Sequence, residues 1–306
     1  MKKNSIEVII KALRPQQWVK NLSLFASIIF TGQLFNTPLF VVSTLGFIVF
    51  CILSSASYLL NDIVDAPLDR LHPEKKTRPI ASGMLSQHRA FEIFAILSLI
   101  GLVFSFILSP SFFLVSASFL VLHILYSLYL KKVAVLDILA IAVSFILRVL
   151  AGEVLTGFHL SIWLLLTVVF LSLFIATSKR KSELEVVGGS STRPSLMRYK
   201  ERLLDFYAST FANATLITYA LFAYLDVPPH FQNIGGLLSE VNPTLLGRKW
   251  MMITVPFVVI GIMRYAQLIY EKQAGERPEK LITSDIPLIT SILLWGITVI
   301  FIIYVA

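Results

Sequence analysis

Apolar residues dominate this chain in long stretches that shorter polar segments separate. A helix needs about 20 mostly apolar residues to cross the hydrocarbon core of a membrane, and in lipid such a stretch satisfies its backbone groups as a helix. The pattern predicts an all-α membrane protein with nine transmembrane helices, at residues 19–35, 38–60, 90–108, 111–130, 134–156, 160–178, 206–225, 250–270 and 286–305. Polar residues interrupt the first stretch at both of its ends.

The composition agrees with a membrane location. Of the 306 residues, 56% are hydrophobic and 14% are charged, which is roughly half the charged fraction of soluble domains. A water-soluble enzyme and a disordered chain are therefore excluded. Cys51 is the one cysteine, which excludes a disulfide within the chain and a cysteine metal cluster. No linker divides the sequence, so we expect one domain over residues 1–306, with an interfacial segment at 1–18.

Positive charge is distributed unevenly around the predicted spans. All but three of the 26 Lys and Arg residues lie on one side of the membrane, in or next to the segments 1–18, 61–89, 131–133, 179–205 and 271–285. The exceptions are Arg148, which lies within a span, and Arg248 and Lys249 on the opposite side. Because Lys and Arg favour cytoplasmic loops, the distribution predicts a cytoplasmic N-terminus and cytoplasmic loops at 61–89 and 179–205.

The segment after the second predicted span carries the clearest candidate chemistry. On a helix, Asp62, Asp65 and Asp69 fall at positions i, i+3 and i+7 and share one face. Three neighbouring carboxylates repel one another unless a cation lies between them, and clusters of oxygen ligands suit Mg²⁺. We therefore predict that these aspartates are catalytic residues that hold Mg²⁺. Pro67 disfavours a helical conformation at Ala66, so the last turn is expected to unwind.

Basic residues follow the aspartates at Lys75, Lys76 and Arg78. We expect them to supply positive charge for phosphate groups, because ionisable residues at a membrane boundary are usually functional. The alternative is a solvated polar loop in which the aspartates pair with neighbouring Arg and Lys side chains.

The run Asn-Asp-x-x-Asp-x-x-x-Asp from Asn61 to Asp69, placed after a second membrane helix, resembles the first aspartate-rich motif of the UbiA superfamily of intramembrane polyprenyltransferases. Nine helices with polar loops on one side also match that family. The resemblance implies a UbiA-like transmembrane bundle in which Asn61, Asp62, Asp65 and Asp69 hold Mg²⁺ on a substrate diphosphate.

The second motif of that family is different in this chain. The family carries Asp-x-x-x-Asp at the cytoplasmic end of its sixth helix, whereas this chain has Lys179, Arg180 and Lys181, with Glu183 close behind. One acidic and one basic cluster can bind a diphosphate through Mg²⁺ and a second phosphate through Lys and Arg. Phosphoribosyl diphosphate carries both kinds of group.

Four segments extend the resemblance to one branch of the superfamily, the decaprenyl-phosphate phosphoribosyltransferases of bacterial cell-wall arabinan synthesis: 14–21, 72–79, 179–184 and 264–265. The branch implies Mg²⁺-dependent transfer of 5-phosphoribose from phosphoribosyl diphosphate to a polyprenyl (decaprenyl) phosphate, in the bacterial inner membrane with a cytoplasmic active site. The substrate-binding residues that it implies are Lys20, Asn61, Lys75, Lys76, Arg78, Lys179, Arg180, Glu183 and Arg264.

Several alternatives stay open at the level of the sequence. A conventional UbiA enzyme would move a polyprenyl group from its diphosphate to an aromatic acceptor, and a transporter or lipid-binding protein would catalyse no reaction. Basic residues near Lys179 also serve as membrane anchors on the positive side. We expect no nucleic-acid partner, and a homo-oligomer is open. The roles of Arg148 and Asp137 are undefined, although we expect Arg148 to pair with Glu153 or a carbonyl group.

Overall fold

The computed structural model describes residues 5–72, 75–187, 199–226, 250–272 and 284–304. Within these residues all regular structure is helical, as predicted, and no strand occurs. The helices are α1 (Ser5–Leu13), α2 (Ala26–Phe30), α3 (Thr37–Asp69), α4 (Gln87–Leu108), α5 (Pro110–Leu128), α6 (Leu136–Thr156), α7 (Ile162–Val187), α8 (Glu201–Leu225), α9 (Val255–Lys272) and α10 (Ile286–Tyr304). Short 3₁₀ segments lie at Pro15–Phe25, Lys75–Thr77 and Leu130–Lys132.

The protein is a multi-pass membrane protein. Among the described residues, seven helices are long and apolar enough to span a membrane: Thr37–Asp69, Gln87–Leu108, Pro110–Leu128, Leu136–Thr156, Ile162–Leu184, Trp250–Tyr270 and Ile286–Tyr304. These correspond to seven of the predicted stretches. The predicted count of nine is not confirmed, because the first and the seventh stretch are not among them.

The first predicted span, residues 19–35, is not a continuous helix. The 3₁₀ segment runs to Phe25, α2 has only five residues, and the chain turns at Gly32 with a φ of +75°. Asn21, a buried residue of this 3₁₀ segment, bonds through its amide to Cys51 and Ser54 on α3. A buried amide needs such partners, so the polar residues that interrupt this stretch bind across to another helix.

The seventh predicted span, residues 206–225, is helical but belongs to the less apolar helix α8. Its threonines satisfy their hydroxyls within the helix: Thr210 donates to the Phe206 carbonyl at 2.8 Å and Thr215 to that of Phe211 at 2.7 Å. Polar composition, and not a break in the helix, separates α8 from the seven apolar helices.

The chain divides into two compact units, each with a core of its own. The described part of the first unit comprises residues 5–25, 41–72 and 75–157. In its centre the ring of Phe50 lies 5.7 Å from that of Phe112 and 5.0 Å from that of Phe119. A second cluster, which joins α1 to the Asp69 end of α3, consists of Val8, Ala12, Leu59, Ala66, Ile80, Leu85 and Ala90. This packing fixes the helix end that carries the three aspartates.

The second unit contains the described residues 26–40, 158–187, 199–226, 250–272 and 284–304. Its core is formed by Phe174, Ala208, Ile262, Tyr265, Leu268, Ile269 and Leu288. Phe174 on α7 meets Tyr265 on α9 edge to face, with ring centroids 5.5 Å apart. This core supports the last turns of α7, where the basic cluster lies. The single domain over residues 1–306 stays a prediction.

Some predicted features lie outside the described residues. These are Arg248 and Lys249, which we expect on the far side of the membrane, most of the basic segment 271–285, and the part of the loop 179–205 between residues 188 and 198.

Candidate active site

Three carboxylates lie on one buried face of α3, as the spacing predicts. Asp62, Asp65 and Asp69 are 3%, 7% and 5% exposed; we call them the aspartate face. The helix continues through Pro67 to Asp69, so the predicted unwinding at Ala66 is wrong. The backbone continues to bond beyond the proline, with the Arg70 amide 3.2 Å from the Ala66 carbonyl. An intact last turn keeps the three carboxylates in register.

Two arginines bind the outer carboxylates of this face. An Nη2 atom of Arg14 lies 2.5 Å from Oδ1 of Asp62. One atom of Arg78, Nη1, contacts both Oδ1 of Asp62 at 3.2 Å and Oδ2 of Asp69 at 2.6 Å. Burial by itself lowers the pKa of the Arg14 guanidinium, but its interactions with Asp62 outweigh this and hold that pKa above its usual value. Arg14 is therefore a fixed positive charge at the site.

The middle carboxylate is bound by a buried lysine. Lys131 lies on the 3₁₀ segment between α5 and α6, and its Nζ is 2.6 Å from Oδ1 of Asp65 and 3.1 Å from Oδ1 of Asn61. Asn61 in turn donates its Nδ2 to Oδ2 of Asp65 at 3.0 Å. Both oxygens of Asp65 thus have partners, and Asn61 orients this carboxylate and its cation together.

The backbone is strained next to both of these cation-bearing segments. Arg14, between α1 and the 3₁₀ segment, has a φ of +52°, and Val135, which precedes α6, has a φ of +73°. Non-glycine residues are uncommon at positive φ, and a β-branched residue there is an outlier. Such strain persists where surrounding structure holds it, and it clusters at functional sites.

The donor set of the aspartate face suits Mg²⁺ only in part. Among the described residues, no group of three or more His, Cys, Asp or Glu side chains is arranged to hold a metal ion. Asp62 and Asp69 nevertheless converge on one cationic atom, Nη1 of Arg78. Mg²⁺ commonly binds one or two carboxylates and completes its shell with water and phosphate oxygens. Asp62 and Asp69 fit that pattern as they stand, whereas Asp65 can join them only by exchanging its contact with Lys131 for the metal ion.

The first unit contains four more of the predicted substrate-binding residues, each with its own position and contacts. Arg78 binds the aspartate face, as described above. Lys75 and Lys76 lie on the 3₁₀ turn that leads to Arg78, and Lys76 is exposed. Lys20 donates its Nζ to Oε1 of Gln17 at 2.6 Å, and the hydroxyl of Tyr58 on α3 donates to the same oxygen at 3.3 Å.

In the second unit, the predicted phosphate ligand Arg180 is fully buried and forms an ion pair with Glu183, with Nη1 and Oε2 2.5 Å apart. The two residues lie three positions apart on α7, so the pair closes within one helical turn. Lys179, one residue earlier, is partly exposed.

Lys181 is also paired, with a carboxylate that the sequence does not suggest. Its Nζ lies 2.5 Å from Oδ1 of Asp205 on α8 and 3.4 Å from the ring centroid of Tyr270. The Tyr270 hydroxyl donates to the same Asp205 oxygen at 2.9 Å. These contacts tie α7, α8 and α9 together at one end of the second unit.

Arg264 on α9 binds a carboxylate at two points. Its Nε and Nη2 atoms lie 3.0 and 2.8 Å from the two oxygens of Asp285, which precedes α10. Asp285 Oδ1 also accepts the backbone N–H of Leu288 at 3.1 Å, as a cap for α10. Two-point geometry of this kind is the strong form of an Arg–carboxylate pair.

Sequence reasoning missed Arg14, Lys131 and Asp205 as partners in these clusters. Arg14 belongs to the segment 14–21 that carries the family resemblance, so a signal for it existed. Lys131 and Asp205 stand among ordinary interfacial charges. Only the fold shows that Lys131 contacts Asp65, which is 66 residues away along the chain.

The amino-acid sequence matches the UbiA prenyltransferase family over residues 22–286. Decaprenyl-phosphate phosphoribosyltransferase of Mycolicibacterium smegmatis is 33% identical over 299 residues, which cover 96% of this chain and 91% of that protein. The Mycobacterium tuberculosis protein of the same name is 32% identical over 302 residues, covering 97% of this chain and 94% of its own length.

The fold is that of solved members of the family. A UbiA homologue from Archaeoglobus fulgidus, with bound DMAPP and Mg²⁺, superposes with a TM-score of 0.71, at 17% sequence identity, over 97% of this chain and 99% of that one. At this identity the match establishes the fold alone.

Proposed function

Since the chain belongs to the UbiA prenyltransferase family, we propose that it transfers 5-phosphoribose from phosphoribosyl diphosphate to a polyprenyl phosphate and releases diphosphate. The observation that carries the proposal is a buried aspartate face in a chain that is 33% identical, over nearly its full length, to decaprenyl-phosphate phosphoribosyltransferase. The acceptor of that relative is a decaprenyl phosphate, which we take as the acceptor class here.

In this proposal the aspartate face binds the diphosphate. Asp62, Asp65 and Asp69, with Asn61 beside them, would hold Mg²⁺, which supplies positive charge for the oxygens of the leaving diphosphate. Arg14, Arg78 and Lys131 now neutralise these carboxylates. Phosphate oxygens are equally good partners for Arg and Lys, so the same side chains can bind the diphosphate once it arrives.

Further basic residues are assigned to the phosphate groups by the same reasoning. Lys20, Lys75 and Lys76 would add positive charge around the diphosphate. Lys179 and Arg180 would bind the 5-phosphate of the ribose, with Glu183 orienting Arg180 through the ion pair described above. Arg264 would contribute to the same group, for which it has to share its guanidinium with Asp285.

The bond changes in this reaction are a substitution at C1 of the ribose. The bond from C1 to the diphosphate oxygen breaks while a lipid phosphate oxygen forms a bond to C1 from the opposite face, which inverts the configuration. C1 gains oxocarbenium character, as in glycosyl transfer. The attacking phosphate is already an anion, so no strong general base is required, and the protein acts by positioning and electrostatic stabilisation.

The proposal also assigns a location and an orientation. The distribution of Lys and Arg favours a cytoplasmic aspartate face, which phosphoribosyl diphosphate reaches from the aqueous side while the lipid acceptor arrives from the bilayer. The corresponding membrane is the bacterial inner membrane.

A direct test offers the purified protein two donor–acceptor pairs with Mg²⁺. One reaction contains radiolabelled phosphoribosyl diphosphate and polyprenyl phosphate, and the other contains a labelled polyprenyl diphosphate and an aromatic acid. We expect a lipid-extractable labelled phosphoribose in the first and no product in the second. Turnover in the second reaction alone would replace the proposal with conventional prenyl transfer.

A further inference from the structure

In the described part of the first unit, one buried arginine, Arg148, forms no ion pair with a carboxylate. Arg148 lies twelve residues into α6, a helix apolar enough to span the membrane, and is 2% exposed. It does not pair with Glu153, which was one of the two expected partners. An ionisable side chain at such a position is costly and usually functional.

The partners of Arg148 are all neutral. Its Nε donates to Oδ1 of Asn21 at 2.8 Å, and its Nη1 donates to the carbonyl and hydroxyl oxygens of Ser144 at 2.7 and 2.5 Å. The guanidinium also lies over two aromatic rings, 4.7 Å from the centroid of Phe119 and 5.4 Å from that of Phe145. Nη2 makes no hydrogen bond to the described part of the chain.

The groups around these partners are neutral as well. The hydroxyl of Ser54 donates to the same Asn21 oxygen at 3.2 Å, and the Asn21 amide lies 3.4 Å from Cys51 Sγ. A ring nitrogen of His123 is 3.2 Å from the Ser144 hydroxyl. A buried charge is normally paired with an opposite charge, and here the described surroundings supply only dipoles and π faces.

The position of the guanidinium relates it to the aspartate face. The Arg148 guanidinium and the Ser54 hydroxyl on α3 both donate to the same oxygen of Asn21. Ser54 precedes Asp62 by eight residues, which is about 12 Å along the axis of α3. That distance leaves room for a bound diphosphate, the ribose carbon and an attacking phosphate in line. Side chains on α6 lean toward its N-terminus, which is the end nearest Lys131, so Arg148 reaches toward the aspartate face.

We propose that Arg148, held by Asn21 and Ser144, binds the phosphate group of the polyprenyl phosphate acceptor. The unused N–H groups of Nη2 provide a two-donor contact for a phosphate monoester, and the lipid chain can lie among the apolar helices around it. The acceptor identity rests on the function proposed above, whereas the anion site itself rests on the unbalanced guanidinium.

The test measures binding without catalysis. Purified protein in detergent is heated with geranylgeranyl phosphate, with geranylgeraniol, or with ribose 5-phosphate, and the concentration dependence of its melting temperature gives apparent affinities. We expect the prenyl phosphate to stabilise the wild-type protein and the matched alcohol to have no such effect. Arg148→Gln is expected to weaken the affinity for the prenyl phosphate about 10- to 100-fold, with the affinity for ribose 5-phosphate unchanged.

A second variant keeps Arg148 and balances its charge with a carboxylate of the protein itself. Asn21→Asp places a carboxylate at the Nε contact in nearly the same volume, so the fold is retained and the prenyl phosphate is excluded by charge. Arg89→Gln, the same substitution at an exposed position of α4, serves as the matched control and should bind like the wild-type protein.

Prenyl phosphate affinity that survives both Arg148→Gln and Asn21→Asp would overturn the proposal and leave Arg148 a structural residue. Loss of ribose 5-phosphate binding in place of prenyl phosphate binding would overturn the lipid assignment. Prenyl phosphate stabilisation without any phosphoribosyl transfer would refute the proposed function alone, and transfer with an unchanged lipid affinity in Arg148→Gln would refute this inference alone.

Discussion

The two charged clusters of the protein pair their charges over very different distances along the chain. On the aspartate face, Asp62 binds Arg14 from 48 residues away and Asp65 binds Lys131 from 66 residues away. At the end of α7, Arg180 binds Glu183 three residues further on. The pairs on the aspartate face exist only once several elements have folded together, whereas the Arg180–Glu183 pair needs one turn of one helix.

This difference separates two kinds of charge pairing, which we expect to respond differently when one partner is removed. Cations that converge from separate segments onto one helix face can change partner when a ligand arrives, because each comes from a segment outside the helix that carries the carboxylates. The Arg180–Glu183 pair is buried within one turn of α7, and the removal of one partner from a buried pair is costly to stability. We therefore expect substitutions on the aspartate face to act mainly on catalysis, and substitutions in the α7 pair to lower stability in addition to weakening the proposed contact with the 5-phosphate.

The largest expected effect concerns the middle carboxylate. Asp65→Asn removes a carboxylate that faces Lys131 and Asn61, and we expect phosphoribosyl transfer to fall by about 10²- to 10³-fold. Glu92→Gln, at an exposed position of α4, is the control and should keep full activity. Full Mg²⁺-dependent turnover in Asp65→Asn would defeat the assignment of the aspartate face.

The α7 pair is tested by a double-mutant cycle. Arg180→Gln leaves Glu183 buried without its cation, which costs about 3 kcal/mol, while Arg180→Gln with Glu183→Gln removes both charges and should recover much of that loss. The melting temperatures of the two single variants and of the double variant measure this loss and recovery of stability. If the double variant is no more stable than Arg180→Gln, the pair is not what holds this helix end together.

An effect of intermediate size is expected at Arg78, one of whose nitrogen atoms contacts two carboxylates. Arg78→Gln should raise KM for phosphoribosyl diphosphate by about 10- to 100-fold while KM for the lipid acceptor changes little. Steady-state kinetics with each substrate varied in turn make this comparison, and an equal rise in both KM values would argue for general damage to the fold.

The smallest effect is expected at Lys76, which is exposed on the turn just before Arg78. Screened surface charges contribute roughly 0–1 kcal/mol, so Lys76→Gln should change the same KM by less than about threefold. A larger change would mean that the turn closes onto the substrate and that the exposed charge is part of the site.

Much of the architecture follows from the sequence, because apolar length and helical spacing are local properties. Helical structure in the described residues, a span that includes residues 38–60 and the shared face of Asp62, Asp65 and Asp69 are all predictable in this way. The first stretch, residues 19–35, departs from a helix because Asn21 binds partners on α3, and these partners cannot be identified from neighbouring residues.

The cations of the aspartate face also show that partners distant along the chain cannot be identified from local sequence. Arg78, nine residues after Asp69, is predicted from its place next to the motif as a cation near the aspartates, and it contacts two of them. Arg14 and Lys131 reach the site through the path of the chain. Arg14 lies in a segment of the family resemblance, but its local sequence does not show that it pairs with Asp62, and the local sequence of Lys131 does not distinguish it from an interfacial charge. The alternative in which aspartates pair with basic side chains also describes the contacts of the aspartate face, although its partners come from distant segments as well as neighbouring ones.

The central claim is that the aspartate face binds a divalent cation together with a diphosphate, in exchange for its own Arg and Lys partners. Electron paramagnetic resonance of Mn²⁺ measures this directly, since the signal of the free ion disappears on binding. We predict weak binding to the wild-type protein alone, tight binding when phosphoribosyl diphosphate is added, and loss of that gain in Asp65→Asn. Binding that is equally tight without the diphosphate, or unchanged in Asp65→Asn, would contradict the account.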